Sequence, residues 1–314
     1  MRGRIWIIPV IVLLAFLFQP MGLWSREDNG FDLQGALIPR AEIHHGGPPR
    51  DGIPALVDPK FVRARAVTWL KPDDRILALQ LDGVAKAYPI AILNWHEIVN
   101  DRIGERRLVV TYCPLCGSGM AFDARVDGAP LEFGVSGLLY NSDVLLYDRR
   151  TESLWSQLLR QAVSGPLKGH RLRMLPLQHT SWRQWRKAHP HTLVLSADTG
   201  YDRDYRRDPY AGYADAKGLY FPVDHLDPRY PPKQPTLGLE LDGVFWAYPL
   251  VELEKAGGMV QVKDAQGRSY RVSYDADSQS AWVEDAQGKR LPSVIGYWFA
   301  WMAFHPDSRV YTAP

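Results

Sequence analysis

The chain of 314 residues carries two cysteines, and they stand three apart as Cys113-Pro114-Leu115-Cys116-Gly117, directly after the apolar run Leu108-Val109-Val110-Thr111-Tyr112. That spacing brings two thiols close enough for three chemistries: a reversible short-loop disulfide, a two-thiolate metal knuckle, or a permanent structural bridge. Thiol cycling needs a lowered thiol pKa, which His96 could supply as a base and Arg149 as a neighbouring cation. His96, in Asn94-Trp95-His96-Glu97, could equally be a third metal ligand beside Cys113 and Cys116, or a helix histidine satisfied by a backbone carbonyl. Arg149 could instead hold an anion or pair with Asp148 or Glu152, and Glu97 reads as a surface charge. Asn141 and Asp143, in Asn141-Ser142-Asp143, are further polar candidates. A closed zinc site needs four ligands and no second cysteine pair exists, so zinc would require His96 with a water or a dimer, whereas copper(I) accepts two thiolates more readily.

A self-match supplies an internal control. Leu79-Gln80-Leu81-Asp82-Gly83-Val84-Ala85-Lys86-Ala87-Tyr88-Pro89-Ile90 returns 160 residues on as Leu239-Glu240-Leu241-Asp242-Gly243-Val244-Phe245-Trp246-Ala247-Tyr248-Pro249-Leu250. The same offset aligns Ala121-Phe122 with Ala281-Trp282, Gly128 with Gly288, and Val135-Ser136-Gly137 with Ile295-Gly296-Tyr297. Two copies of one unit is the economical explanation. The second copy has Asp275-Ala276-Asp277-Ser278-Gln279-Ser280 where the first has its cysteines. It also sets Glu254-Lys255-Ala256-Gly257 against Asn94-Trp95-His96-Glu97, and Trp301-Met302-Ala303 against Asn141-Ser142-Asp143. One half keeps the polar groups and the other does not, which points to one active half and one scaffolding half.

The elements that must position these groups are mostly strands. Each copy opens with alternating apolar residues around Asp-Gly, a hairpin signal because that pair tolerates the positive φ of a type I′ turn. A short helix is predicted over 90–99, then a buried strand over 108–112. A second hairpin is predicted from 120–125 and 131–135 around Asp127-Gly128, followed by a strand over 144–147, a helix over 181–188 and a strand over 192–196. The expected fold class is α+β dominated by antiparallel sheet, in two copies of a degenerate repeat with a few short helices. The expected domains are a signal peptide or membrane anchor over 1–24 and a Pro/Gly-rich linker or surface-wrapped segment over 25–70. The first copy with the CxxC site then covers 71–200, a Tyr-rich connector 201–235, and the degenerate copy 236–314. The connector's Tyr201 to Tyr213 stretch reads as an ordered loop packed over the sheet, with a ligand-covering lid as the alternative.

Arg2 and Arg4 lead Ile5 to Phe18, an apolar run broken only by Pro9, which is the pattern of an export signal. No small-x-small cleavage site ends the run. Counted on to Trp24 it reaches the roughly 20 residues that span a bilayer, so anchor and cleaved signal are both open. The body is expected outside the cytoplasmic membrane, periplasmic or extracellular. Charge is balanced, 37 Lys+Arg against 35 Asp+Glu, which gives no electrostatic case for nucleic acid. No GxSxG, P-loop, HExxH or dinucleotide fingerprint supports hydrolase, nucleotide or pyridine-cofactor readings.

Four motifs in order, Asn94 to Asp101, Thr111 to Gly117, Gly134 to Asp143 and Tyr147-Asp148-Arg149, resemble the bacterial and archaeal domain of unknown function 3179 over roughly residues 60–310. Some members are described as selenoproteins, and a selenol in a CxxC-type site implies redox or soft-metal chemistry. The first expectation is therefore an exported thiol-dependent protein, a thiol-disulfide oxidoreductase lacking the thioredoxin βαβ context, in which Cys113 and Cys116 cycle with help from His96 or Arg149. The second is a copper or zinc carrier on the same cysteines, and the third a non-enzymatic envelope protein with a passive disulfide. The expected partner is a small thiol, a metal or an envelope protein, with membrane contact through the leading segment if it stays uncleaved.

Overall fold

The computed structural model describes residues 28–314. The expected signal or anchor lies outside them, and among the described residues no helix is long and apolar enough to cross a membrane. In chain order the elements begin with β1 (Ile43–His45), β2 (Leu56–Val57), β3 (Phe61–Arg63), β4 (Arg75–Leu81), β5 (Val84–Pro89), α1 (Ile90–His96), β6 (Ile98–Ile103), β7 (Arg106–Cys113) and β8 (Ser118–Asp123). There follow β9 (Arg125–Val126), β10 (Ala129–Pro130), β11 (Phe133–Tyr140), β12 (Asp143–Asp148), β13 (Leu154–Ser156), β14 (Gln161–Ala162), β15 (Met174–Leu175), β16 (Gln178–Ser181), α2 (Trp182–Ala188) and β17 (Leu193–Leu195). The last part has β18 (Pro235–Leu241), β19 (Val244–Pro249), α3 (Leu250–Lys255), β20 (Met259–Lys263), β21 (Ser269–Asp275), β22 (Ser280–Asp285), β23 (Arg290–Leu291), β24 (Val294–Tyr297), α4 (Trp298–Phe304) and β25 (Arg309–Val310).

Apart from the two-stranded ribbon β9-β10, these strands form five sheets of four or five strands, the blades of a five-bladed β-propeller. Blade 1 is β16-β4-β5-β17-β3, blade 2 is β15-β8-β7-β6-β2, and blade 3 is β1-β11-β12-β13-β14; blade 4 is β24-β18-β19-β25 and blade 5 is β20-β21-β22-β23. With 39% strand against 11% helix the protein is mainly β, which corrects the expected α+β class, and five blades replace the expected two copies of one unit. The constant offset fails for a physical reason: blade 3 and the Tyr-rich connector have no counterpart. The 160 spacing holds for β4-β5 against β18-β19, becomes 162 at the turns Cys113 to Ser118 and Asp275 to Ser280, and drops to 116 for β16-α2-β17 against β24-α4-β25. The sequence pairings of Val135–Gly137 with 295–297 and of Asn141–Asp143 with 301–303 therefore join positions that are not equivalent.

Blades 1 and 4 nevertheless share their register, with Gln178 opposite Ala78 and Val294 opposite Gly238. Their helices carry the same Trp-x-x-Trp-x-x-x-His-Pro pattern, from Trp182 and from Trp298. Trp185 donates to Thr192 Oγ1 and Trp301 to Ser308 Oγ, both at 2.9 Å. Each blade's edge strand packs on a sheet of the other half, β24 along β8 and β16 along β22.

Local chemistry explains which elements form. Asp82-Gly83 and Asp242-Gly243 all sit at φ of +49° to +78°, the two-residue turn that matches strand twist. Helix α1 stops earlier than predicted, because Glu97 turns to φ +56° and the β-branched Ile98 and Val99 join blade 2 opposite Thr111 and Val110. The hairpin predicted from 120–125 and 131–135 is not formed. β8 pairs with β7 and β15, while β11 pairs with β12, leaving only β9 and β10 around Asp127-Gly128. The segment 25–70 contributes edge strands to three sheets, β1 on β11, β2 on β6 and β3 on β17.

Candidate functional site

Cys113 ends β7 and Cys116 lies in the four-residue turn to β8, both buried and unbridged. Gly117 closes that turn at φ +59°, with its α-carbon face against the ring of Tyr297. A β-carbon there would press on the ring, so the position suits glycine twice over. The Tyr297 amide donates to the Cys116 carbonyl at 2.7 Å, tying the turn to blade 4. Behind it a buried relay is complete: Ser118 Oγ donates to Gln157 Oε1 at 2.7 Å and Gln157 Nε2 to Thr111 Oγ1 at 2.8 Å.

Blade 3 brings the third group. The β11-β12 turn holds Asn141 at φ +49° and Ser142 at φ +62°, an uncommon region for serine. The Ser142 carbonyl thereby faces both thiols, at 3.4 Å from Cys116 Sγ and 3.6 Å from Cys113 Sγ. Asn141 and Ser142 are pinned from the other side, the Asp224 amide donating to Asn141 Oδ1 and Ser142 Oγ donating to the Phe221 carbonyl. Asp143 follows at once, fully buried, and a carboxylate oxygen of it and the two sulfurs all lie within 4.8 Å of one another. Asp143 Oδ2 accepts from the Leu158 amide at 3.0 Å, whereas Oδ1 is buried with no hydrogen-bond partner.

Burial pushes the Asp143 carboxyl up to about 7, against the pull of the Leu158 and Val144 amides and of the two thiols. Burial, then the hydrogen bond and charge of Cys113, push the Cys116 thiol well up. Burial thus favours the protonated forms of Asp143 and Cys116, and a cation entering between them would favour the charged forms.

His96 is not among them. Its Nδ1 lies 2.7 Å from the Pro54 carbonyl and its Nε2 2.7 Å from the Tyr205 hydroxyl, so both nitrogens are satisfied, and burial lowers its pKa. It belongs to a latch: Asn94 donates to Asp208 Oδ1 at 2.9 Å, Trp95 Nε1 to the Arg207 carbonyl at 3.0 Å, and Tyr210 to Glu97 Oε1 at 3.3 Å. Four consecutive residues thus hold the Tyr-rich loop. Glu97, expected on the surface, is buried, and burial raises it to about 7. Tyr213 of the same loop packs in one buried cluster with both cysteines, and its hydroxyl has no partner. Lys233 staples the loop from below, donating to the Ala216 and Gly218 carbonyls at 2.7 and 2.8 Å.

Arg149 stands at the far end of β12, six residues from Asp143 and so about 20 Å along the strand. It pairs with Asp51 and Glu132, each at 3.1 Å, and not with the alternatives Asp148 or Glu152. Of the sequence candidates the structure thus brings Cys113, Cys116 and Asp143 together, with Asn141 in the adjoining turn. The sequence reading places Glu97 on the surface and singles out neither Tyr210 nor Tyr213 within the tyrosine-rich stretch expected over the sheet.

The family model for "Protein of unknown function (DUF3179)" matches residues 50–289. The chain belongs to the DUF3179 family. No curated protein and no solved structure matches it. In this DUF3179 protein the matched span stops short of β24 and α4, although Tyr297 of β24 contacts the cysteine turn.

Proposed function

We propose that this exported DUF3179 protein is a metal-binding protein whose centre is Cys113, Cys116 and Asp143, with zinc as the cation. The observation that carries the reading is the convergence of a buried Asp143 carboxylate oxygen and both sulfurs, all within 4.8 Å of one another. A passive disulfide or a two-thiolate copper(I) site would leave that carboxylate oxygen unused, whereas a two-sulfur, one-oxygen set suits a borderline divalent ion. Two thiolates and one carboxylate against a divalent cation leave a single net negative charge, small enough for a closed site. A water held toward the Tyr213 hydroxyl would complete four ligands.

Thiol-disulfide cycling, the first expectation, has less support. Neither His96 nor Arg149 stands where it would activate a thiol, and burial favours the protonated form of Cys116. The deciding experiment is native mass spectrometry on protein exported by its host and purified without reductant or chelator, beside the Cys113→Ser, Cys116→Ser double variant. One zinc per chain, absent from the variant, is expected. A metal-free mass two hydrogens short that mild reductant restores would overturn the metal reading in favour of redox cycling.

A further inference from the structure

Where blade 4 meets blades 2 and 5 there is a cleft of about 760 Å3, and the corresponding junction of blades 1 and 5 has one of only about 140 Å3. The two are built from matching positions. Gly238, Trp301 and His305 in the large cleft correspond to Ala78, Trp185 and His189 in the small one. The decisive exchange is on the facing sheet, where Met120 in the large cleft takes the place of Trp282 in the small. Trp282, with the guanidinium of Arg290 at 4.3 Å over its ring, fills the small cleft. Gly238 adds space on the open side, because a β-carbon there would collide with the Trp301 ring.

The open cleft has a built chemistry. His305 stacks on Phe245 at 3.9 Å between ring centres and 15°, and the Trp301 ring stands 4.4 Å from His305 at a tilt of 51°, so the three rings make an angled aromatic corner. Burial and the charges of Arg160 and Arg171 hold His305 neutral, so the corner is uncharged, and the Arg160 guanidinium lines the same cleft. Arg160 sits at φ +58°, a strained backbone for an arginine, and its side chain reaches Glu240 at the cleft. Leu158 lines the cleft with its side chain while its amide holds Asp143, so the cleft and the cysteine centre are separated by one residue.

We propose that this cleft is a binding site for a small organic acid with an aromatic body, the ring seated in the corner of Phe245, His305 and Trp301 and the carboxylate taking the place of Glu240 on Arg160. The volume is within the range of roughly 300–1,000 Å3 usual for small-ligand sites, and the plugged counterpart shows that the fold itself does not require the space. The site stands independently of the metal reading.

The test is calorimetric titration of the full chain with benzoate, indole-3-acetate and 1-naphthoate, and with 1-naphthamide as the uncharged match. Saturable one-site binding of at least one of the acids is expected, with 1-naphthoate about tenfold tighter than the amide. Met120→Trp, which copies the natural plug, should abolish binding, and Arg160→Gln should erase the acid-over-amide preference. If Met120→Trp fails to fold, Gly238→Ala, which drives Trp301 into the cleft, takes its place. No saturable binding of any of the three acids up to millimolar concentration, an amide as tight as its acid, or undiminished binding in the plugged variant would each overturn the assignment.

Discussion

Two turns occupy equivalent corners of blades 2 and 5, and they have opposite contents. From Cys113 to Ser118 the corner is apolar, closed and acidic, joined to a blade 3 carboxylate and roofed by tyrosines. From Asp275 to Ser280 it is a polar turn whose Ser278 and Gln279 carbonyls accept from Arg75, the latter at 3.0 Å. Both connect the same two strands with the same four-residue span, so the backbone tolerates either. The chemistry is therefore an addition to the corner and not a condition of folding, and it depends on one sheet and one loop that only the first half possesses.

That comparison breaks most visibly at the thiols. The Cys113→Ser, Cys116→Ser variant is expected to fold, as the blade 5 turn implies, and to lose zinc entirely, with circular dichroism and native mass spectrometry reading the two outcomes. Next in size, Asp143→Asn should weaken zinc by more than about 100-fold, beyond what loss of a supporting group costs, while metal-free protein becomes harder to melt because a buried acid has gone. A chelator-competition titration and a thermal scan without metal measure the two effects.

Buried groups in both halves should also make stability depend on pH. Glu97 is raised to about 7 from an ordinary 4.5, so between those values the folded state holds a proton that the unfolded chain has lost. Metal-free stability should accordingly fall as pH climbs from 4.5 to 7, by on the order of 3 kcal/mol from Glu97 with Asp143 adding to the same limb, and Glu97→Gln should make that limb shallower in urea melts. His305 in blade 4 is lowered from 6.5 to about 3, so its contribution is present above 6.5 and is lost as pH falls toward 3. His305→Phe should make the acid limb shallower and leave the part that buried His179 supplies.

Smaller effects sharpen the picture. Trp95→Phe removes the bond to the Arg207 carbonyl that helps hold the roof, and should speed zinc release to a chromophoric chelator several-fold with little change in affinity. Trp185→Phe and Trp301→Phe should each cost about 1 kcal/mol, the net worth of one hydrogen bond, and by closely similar amounts. Unequal costs would mean that the blades differ in more than their clefts.

What the sequence disclosed followed range. The Asp82-Gly83 and Asp242-Gly243 hairpins and the body of α1 were legible because turn chemistry and periodicity act between near neighbours. The cysteines and Asp143 were legible because their types are unusual where they stand. The propeller was not, because β1, β2 and β3 are short and find partners far along the chain, and because a fixed offset hid the second match, Trp182 to His189 against Trp298 to His305. His96 misled for a related reason: a histidine near a CxxC in sequence is a ligand only if the helix aims it there, and α1 aims it at Pro54 and Tyr205.

The three edge strands near the start of the described chain also set a clock. β3 pairs Arg63 with Leu193, 130 residues later, a stretch that takes roughly 7 to 26 s to synthesise at about 5–20 residues per second. Until then blade 1 lacks the strand that fits between β3 and β5, and β1 waits in the same way for β11. A nascent chain of this protein therefore keeps β1 and β3 unpaired for much of its synthesis.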